Sequence, residues 1–143
     1  MPAKLGAHIL NPTNDGVRLV SAGSPLVKLV DHFDIVPQLL AIKPDLLVIG
    51  RIYEAHQNLY QGSPEQSARD WVARQAAQYD RYPLIRVWEG PNEPSFGAYT
   101  DSREIANMQW YAAFEAERVR QLAARGLRAV IANFSTGNPF TPD

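Results

Sequence analysis

Apolar residues fall along this chain in two alternating rhythms. Short, mostly apolar runs occupy Leu5–Leu10, Leu26–Val30, Leu46–Ile52, Leu84–Trp88 and Leu127–Ala132. Runs of that length without polar alternation predict parallel strands covered on both faces. Longer amphipathic stretches separate them. The clearest predicts a helix over about Ser102–Arg125, with Asp101 and Glu104 spaced as a capping box and Gly126 as its stop. Ile105, Met108, Ala112, Val119 and Leu122 recur at helical spacing and mark its expected inner side. A second helix should start at Pro64, with Ser63 as cap, Gln66 completing a capping box, and Ala68, Trp71, Val72, Gln75 and Tyr79 facing inward. A shorter helix is predicted over about Ile35–Ile42, and one or two helical turns over Gly16–Ala22.

The order is therefore β-α-β-α-β-α-β-α-β. Strand, helix and parallel strand in series require right-handed crossovers and an α/β fold. No repeat, low-complexity tract or linker interrupts the 143 residues, a length that suits one domain spanning 1–143. The Gly- and Pro-containing segments follow strands, and in such folds that end carries function.

Composition narrows the function classes. The formal net charge is −1 with Lys and Arg scattered, so neither nucleic acid nor an anionic membrane surface is an expected partner. No apolar run reaches the roughly 18 residues of a membrane span. The N-terminal Met1-Pro2-Ala3-Lys4-Leu5 lacks a signal core, which points to the cytoplasm if Met1 is the natural start. The absence of cysteine removes disulfides, thiolate metal sites and a Cys nucleophile. His8, His32 and His56 lack metal-ligand spacing, so no metal is expected. No nucleotide-binding glycine motif and no G-x-S-x-G elbow occurs, so no cofactor is implied.

The stretch Pro83-Leu-Ile-Arg-Val-Trp-Glu-Gly-Pro-Asn92-Glu93-Pro94 ends the fourth strand and begins its loop. Glycoside hydrolysis needs a carboxylic acid to protonate the leaving oxygen and a carboxylate on the other side of the sugar. A general acid must hold its proton near neutral pH, which burial or a neighbouring negative charge favours. An Asn beside it can donate to a sugar hydroxyl. Pro94 stiffens the loop and disfavours helix at Glu93. Asn92-Glu93-Pro94 at this place resembles the Asn-Glu signature of the retaining glycoside hydrolases of clan A. The motif covers Val87–Pro94, and the topology covers the whole chain.

That resemblance implies a partial (β/α)₈ TIM barrel with five parallel strands in sequential order and four helices. It implies Glu93 as acid/base, Asn92 as a contact to the sugar 2-hydroxyl, and a carbohydrate substrate with β-linked sugars. Glu89 is read as a carboxylate supporting Glu93, or as an ion-pair partner of Arg51 or Arg86. His8, Asp31, Arg51, Tyr53, Trp88, Asn133 and Ser135 lie at or just past strand ends, which converge on one face in a barrel. Arg51 and Tyr53 should point the same way from the third strand. Arg51 would hold a carboxylate ionised, and Tyr53 and Trp88 would stack on a sugar. The plainer alternative is a structural ion pair and core aromatics. Trp110, Tyr111 and Phe114 sit on a helix and are read as packing.

The chain departs from the family at its length. A full barrel has eight strands and about 250 residues. The family's nucleophilic Glu comes from the seventh strand, so these five strands are not expected to run the retaining double displacement. Open strand edges invite pairing, which predicts self-association into a homo-oligomer or a C-terminal half supplied elsewhere. Two other readings stay open. One is a non-catalytic half-barrel that binds a carbohydrate or a partner. The other is a doubly wound domain with strand order 2-1-3-4-5.

Overall fold

A computed structural model describes residues 6–11, 14–96 and 103–134. Ten elements follow one another: β1 (Ala7–Ile9), α1 (Asn14–Ser21), β2 (Leu26–Val30), a 3₁₀ turn (Phe33–Ile35), α2 (Val36–Ile42), β3 (Leu47–Arg51), α3 (Pro64–Arg81), β4 (Val87–Glu89), α4 (Arg103–Ala124) and β5 (Arg128–Val130). The architecture is α/β, with five parallel strands in one sheet in the order β1-β2-β3-β4-β5. That order differs from the 2-1-3-4-5 arrangement of the doubly wound alternative. Register runs Ala7↔Val27 and Ile9↔Leu29, then Val27↔Val48, then Gly50↔Trp88.

Local chemistry accounts for the helix ends. Gly23 and Gly126 follow α1 and α4 with φ of 99° and 71°. Leu127 donates its N–H to the Leu122 carbonyl at 2.9 Å, and Gly126 donates to Ala123 at 2.9 Å. Together they form a Schellman close, and Leu122 and Leu127 are both buried beside it. The capping box expected at Ser63 forms only in part. Gln66 N–H reaches Ser63 Oγ at a long 3.4 Å, while the Gln66 amide turns away to Asp70 at 2.8 Å. Asp101, expected to cap α4, lies outside the described residues.

The chain divides into two compact units, Met1–Tyr53 with Ala77–Trp88, and Glu54–Ala76 with Glu89–Asp143. The first is centred on Val27, Leu29, Phe33, Leu39, Ile85 and Trp88, all buried. Trp88 meets Phe33 edge-on at 5.2 Å and Tyr79 at 4.9 Å, and its indole N–H donates to the Ile85 carbonyl at 3.1 Å. Its strand partner is Gly50 for a steric reason. A Cβ there would stand 2.5 Å from Trp88 Cζ3 and 3.0 Å from Ile85 Cγ2. Gly50→Ala is therefore expected to lower stability by about 1–3 kcal/mol, the usual cost of overpacking a filled core. Urea denaturation checks this, and a midpoint equal to the parent's would show that the indole has room to move.

The second unit buries Ala68, Trp71 and Val72 of α3 with Phe96 and one face of α4. The inward residues foreseen on α3 are all buried, and Gln75 is satisfied by donating to Glu54 Oε1 at 3.0 Å. The face foreseen on α4 is corrected. Ile105 is 70% exposed and Val119 39% exposed. Of the foreseen stripe Leu122 is buried, and the other buried residues of α4 are Tyr111, Phe114, Glu115, Glu117 and Arg118, with Glu115 and Arg118 paired to one another. Counting apolar residues alone rotated the stripe away from that pair.

Candidate active site

The last residue of β4, Glu89, is only 4% exposed. Beyond it Gly90 and Pro91 are buried, Asn92 is half-buried, Glu93 is exposed and Pro94 is buried. Gly90 is dictated by α4, since a Cβ there would lie 2.6 Å from the Arg118 guanidinium carbon. Glu93 adopts φ of +48°. A left-handed non-glycine residue persists only where its surroundings hold it. Here the Glu93 N–H donates to the Asn133 carbonyl at 2.9 Å, tying the loop to the segment after β5.

The side chain of Asn133 completes the arrangement. Its NH₂ group donates to Glu89 Oε1 at 2.7 Å and to Asn92 Oδ1 at 2.9 Å. Gln57, in the loop after β3, grips the Asn92 backbone from both sides. It accepts from the Asn92 N–H at 2.7 Å and donates to the Asn92 carbonyl at 2.8 Å. With its amide oxygen engaged by Asn133, Asn92 keeps its own NH₂ free of hydrogen bonds among the described residues. The Glu93 carboxylate likewise makes no hydrogen bond or ion pair among them. Asn92 thus offers a fixed amide donor after β4, and the residue next to it carries a carboxylate unengaged among the described residues. That pairing can donate to a hydroxyl and exchange a proton with a neighbouring oxygen.

Asn92, Glu93, Glu89 and Asn133 were singled out from sequence, and these four are brought together. Gln57 was not. It lies in an irregular segment with no periodicity, and its one signal was position, within a polar stretch after a strand. Arg51, Tyr53, His8 and Trp88 belong to the other unit. Arg51 ends β3 half-exposed, and its carbonyl accepts from the Asp31 N–H at 3.1 Å. Tyr53 is 60% exposed, and its backbone N–H donates to Asp31 Oδ1 at 2.9 Å. His8 is exposed as the middle residue of β1. Trp88 is 0% exposed and enclosed by Phe33 and Tyr79. Its ring has no open face for a sugar, so the core alternative describes it. Ser135 lies outside the described residues.

Behind the loop, Arg118 is fully buried and donates from Nε to Glu115 Oε2 at 2.8 Å and from Nη2 to the Val130 carbonyl. Tyr111 donates its hydroxyl to Glu115 Oε1 at 2.9 Å. Burial pushes the Glu115 carboxyl above the usual carboxylate range, with the Arg118 charge and the hydrogen bonds from Arg118 and Tyr111 opposing it. Among the described residues no group of three His, Asp or Glu is placed to hold a metal ion, and no helix is long and apolar enough to cross a membrane. Comparison with known proteins finds no matching family, no similar curated protein and no similar solved structure.

Proposed function

We propose that the chain forms the first five β/α units of a retaining glycoside hydrolase barrel acting on β-linked sugars, with Glu93 as acid/base. The observation that carries this reading is the coupling of Asn92 and Glu93 through Asn133. It holds the loop in place while leaving one amide donor and one carboxylate unengaged among the described residues, after a strand of the parallel sheet. In this reading Glu93 gives its proton to the glycosidic oxygen as the bond to the anomeric carbon breaks. It then takes a proton from the water that releases the sugar. Asn92 donates from its free NH₂ to the sugar hydroxyl beside the reacting carbon. Glu89, buried and bound to Asn133, positions the loop and does not touch substrate.

The attacking carboxylate must stand about 5–5.5 Å from the acid/base across the sugar. The proposal assigns it to a strand outside these five. The test accordingly uses the full-length protein that carries these residues, with aryl β-glycosides as substrates and Glu93→Gln as the variant.

A second reading has its own support. Beside α4 and β5 lies an apolar cavity of about 360 Å³ lined by Phe96, Met108, Val119, Ile131 and Phe134, with Val119 and Ile131 39% and 52% exposed. Contiguous apolar surface of this kind marks an interaction site. On this reading the five-stranded unit is a non-catalytic binding module that self-associates. Sedimentation velocity of the 143-residue chain at micromolar concentration should then show a dimer or larger species, and Ile131→Glu should shift it to monomer. A parent chain that sediments as a monomer removes this reading.

A further inference from the structure

A second cavity, of about 380 Å³, lies in the same unit among the loop after β3 and helices α3 and α4, and the hydrolytic reading makes no use of it. Its volume is that of a small-molecule site. Trp71 and Phe114 close its floor, packed edge-on at 6.0 Å and both buried, so neither presents an open ring face. Gln57, Asn58 and Gln61 place three side-chain amides around it.

An amide donates and accepts at once, which is what a hydroxyl group requires of its partner. The Asn58 and Gln61 side chains are exposed and make no hydrogen bond among the described residues. Gln57, after gripping Asn92, still has one N–H and one lone pair to offer. The charges at the wall balance, Asp70 against Arg74, and Arg74 already lies 3.5 Å from Glu54. That balance disfavours a phosphate and a free cation alike. Trp71 is 2% exposed, and its indole N–H has no acceptor among the described residues, an unusual state for a buried donor. The loop also holds three left-handed residues, Asn58, Tyr60 and Gly62, at φ of 48°, 65° and 61°. Of these only Tyr60 is a bulky residue held at positive φ, and strain of that kind gathers where ligands are clamped.

We infer that this cavity binds a neutral, hydroxyl-rich ligand of the sugar class, its hydroxyls on the side-chain amides of Gln57, Asn58 and Gln61. The inference stands whether or not Glu93 is an acid/base. Because Gln57 both lines the cavity and holds Asn92, occupancy is felt at the Asn92 backbone.

The test is a titration of the ¹⁵N-labelled full chain with β-linked tetrasaccharides of glucose, xylose and mannose, up to roughly 10 mM, enough to populate a millimolar site. Side-chain amide signals of Gln57, Asn58 and Gln61 and the Trp71 indole signal should shift saturably for at least one sugar. Asn58→Gly combined with Gln61→Ala should weaken that binding about tenfold, which is the loss of one to two hydrogen bonds. Glycine keeps the left-handed backbone at position 58 accessible. No saturable shift with any of the three sugars would overturn the inference. So would shifts confined to Asn92 and Glu93, or a double variant that binds at parental affinity. A double variant that fails to fold leaves the parent's shift map to decide.

Discussion

Glu93→Gln in the full-length protein is expected to lower kcat/KM on alkyl β-glycosides by about 10²- to 10⁴-fold, the range a positioned acid/base supplies. The replacement keeps the length and shape of the side chain, and the Glu93 N–H to Asn133 bond is a backbone contact that survives it. Lost rate therefore reports the proton and not the loop. The loss should depend on the leaving group. An alkoxide needs a proton to depart, whereas a dinitrophenolate leaves without one. Dinitrophenyl glycosides should accordingly retain a fast first step and stall at hydrolysis of the glycosyl intermediate, where the missing base counts. Added azide, which attacks without giving up a proton, should restore turnover and yield the glycosyl azide. Equal rates for parent and variant on an alkyl glycoside would remove Glu93 from the chemistry.

Arg118→Met should cost about 3–5 kcal/mol of folding stability, the usual penalty for stranding one partner of a buried ion pair. Arg118 is wholly enclosed, and Glu115, 5% exposed, would keep only the Tyr111 hydroxyl. The deficit should vary with pH in a definite sense. Burial already raises the Glu115 carboxyl above its unfolded value, and loss of the guanidinium removes the main opposing attraction. A carboxyl raised in the folded state favours folding below its unfolded pKa, and that contribution is lost as pH rises through the folded value. The variant's deficit should thus be larger at pH 8 than at pH 5. Adding Glu115→Gln should recover much of it, because a neutral amide replaces the stranded charge. Guanidinium denaturation at the two pH values measures all three forms. A deficit under about 1 kcal/mol, or no recovery in the double variant, would show the pair to be weakly coupled. Since Arg118 also packs against Gly90 and binds the Val130 carbonyl, the change reaches the loop that carries Asn92 and Glu93.

The two variants probe features of unequal visibility in the amino-acid order. Asn92 and Glu93 stand out because a loop dipeptide after a strand keeps its meaning without knowledge of the fold. The buried pair does not. Glu115 and Arg118 carry no sequence signal of burial, and only the fold encloses them, on the face of α4 that also buries Tyr111 and Phe114. The α4 stripe was misplaced for the same reason. Trp88 sits where a strand-end aromatic could serve either stacking or core. Residues Val87, Trp88 and Glu89 are all buried, so no alternation along β4 could separate the two roles.

Element types, their order and the parallel sheet were legible in the chain, because apolar runs, helical spacing and Gly or Pro punctuation are short-range effects carried by neighbouring residues. So was the placement of the Asn-Glu pair after β4. The sequential strand order came only through the family resemblance and is the order observed, whereas the two compact units and the partners of that pair were not legible. Asn133 meets Asn92 across 41 positions and Gln57 meets it across 35. Contacts at such separations leave no periodic trace in the sequence, and they exist only once the second unit brings the segments around Gln57, Asn92 and Asn133 together.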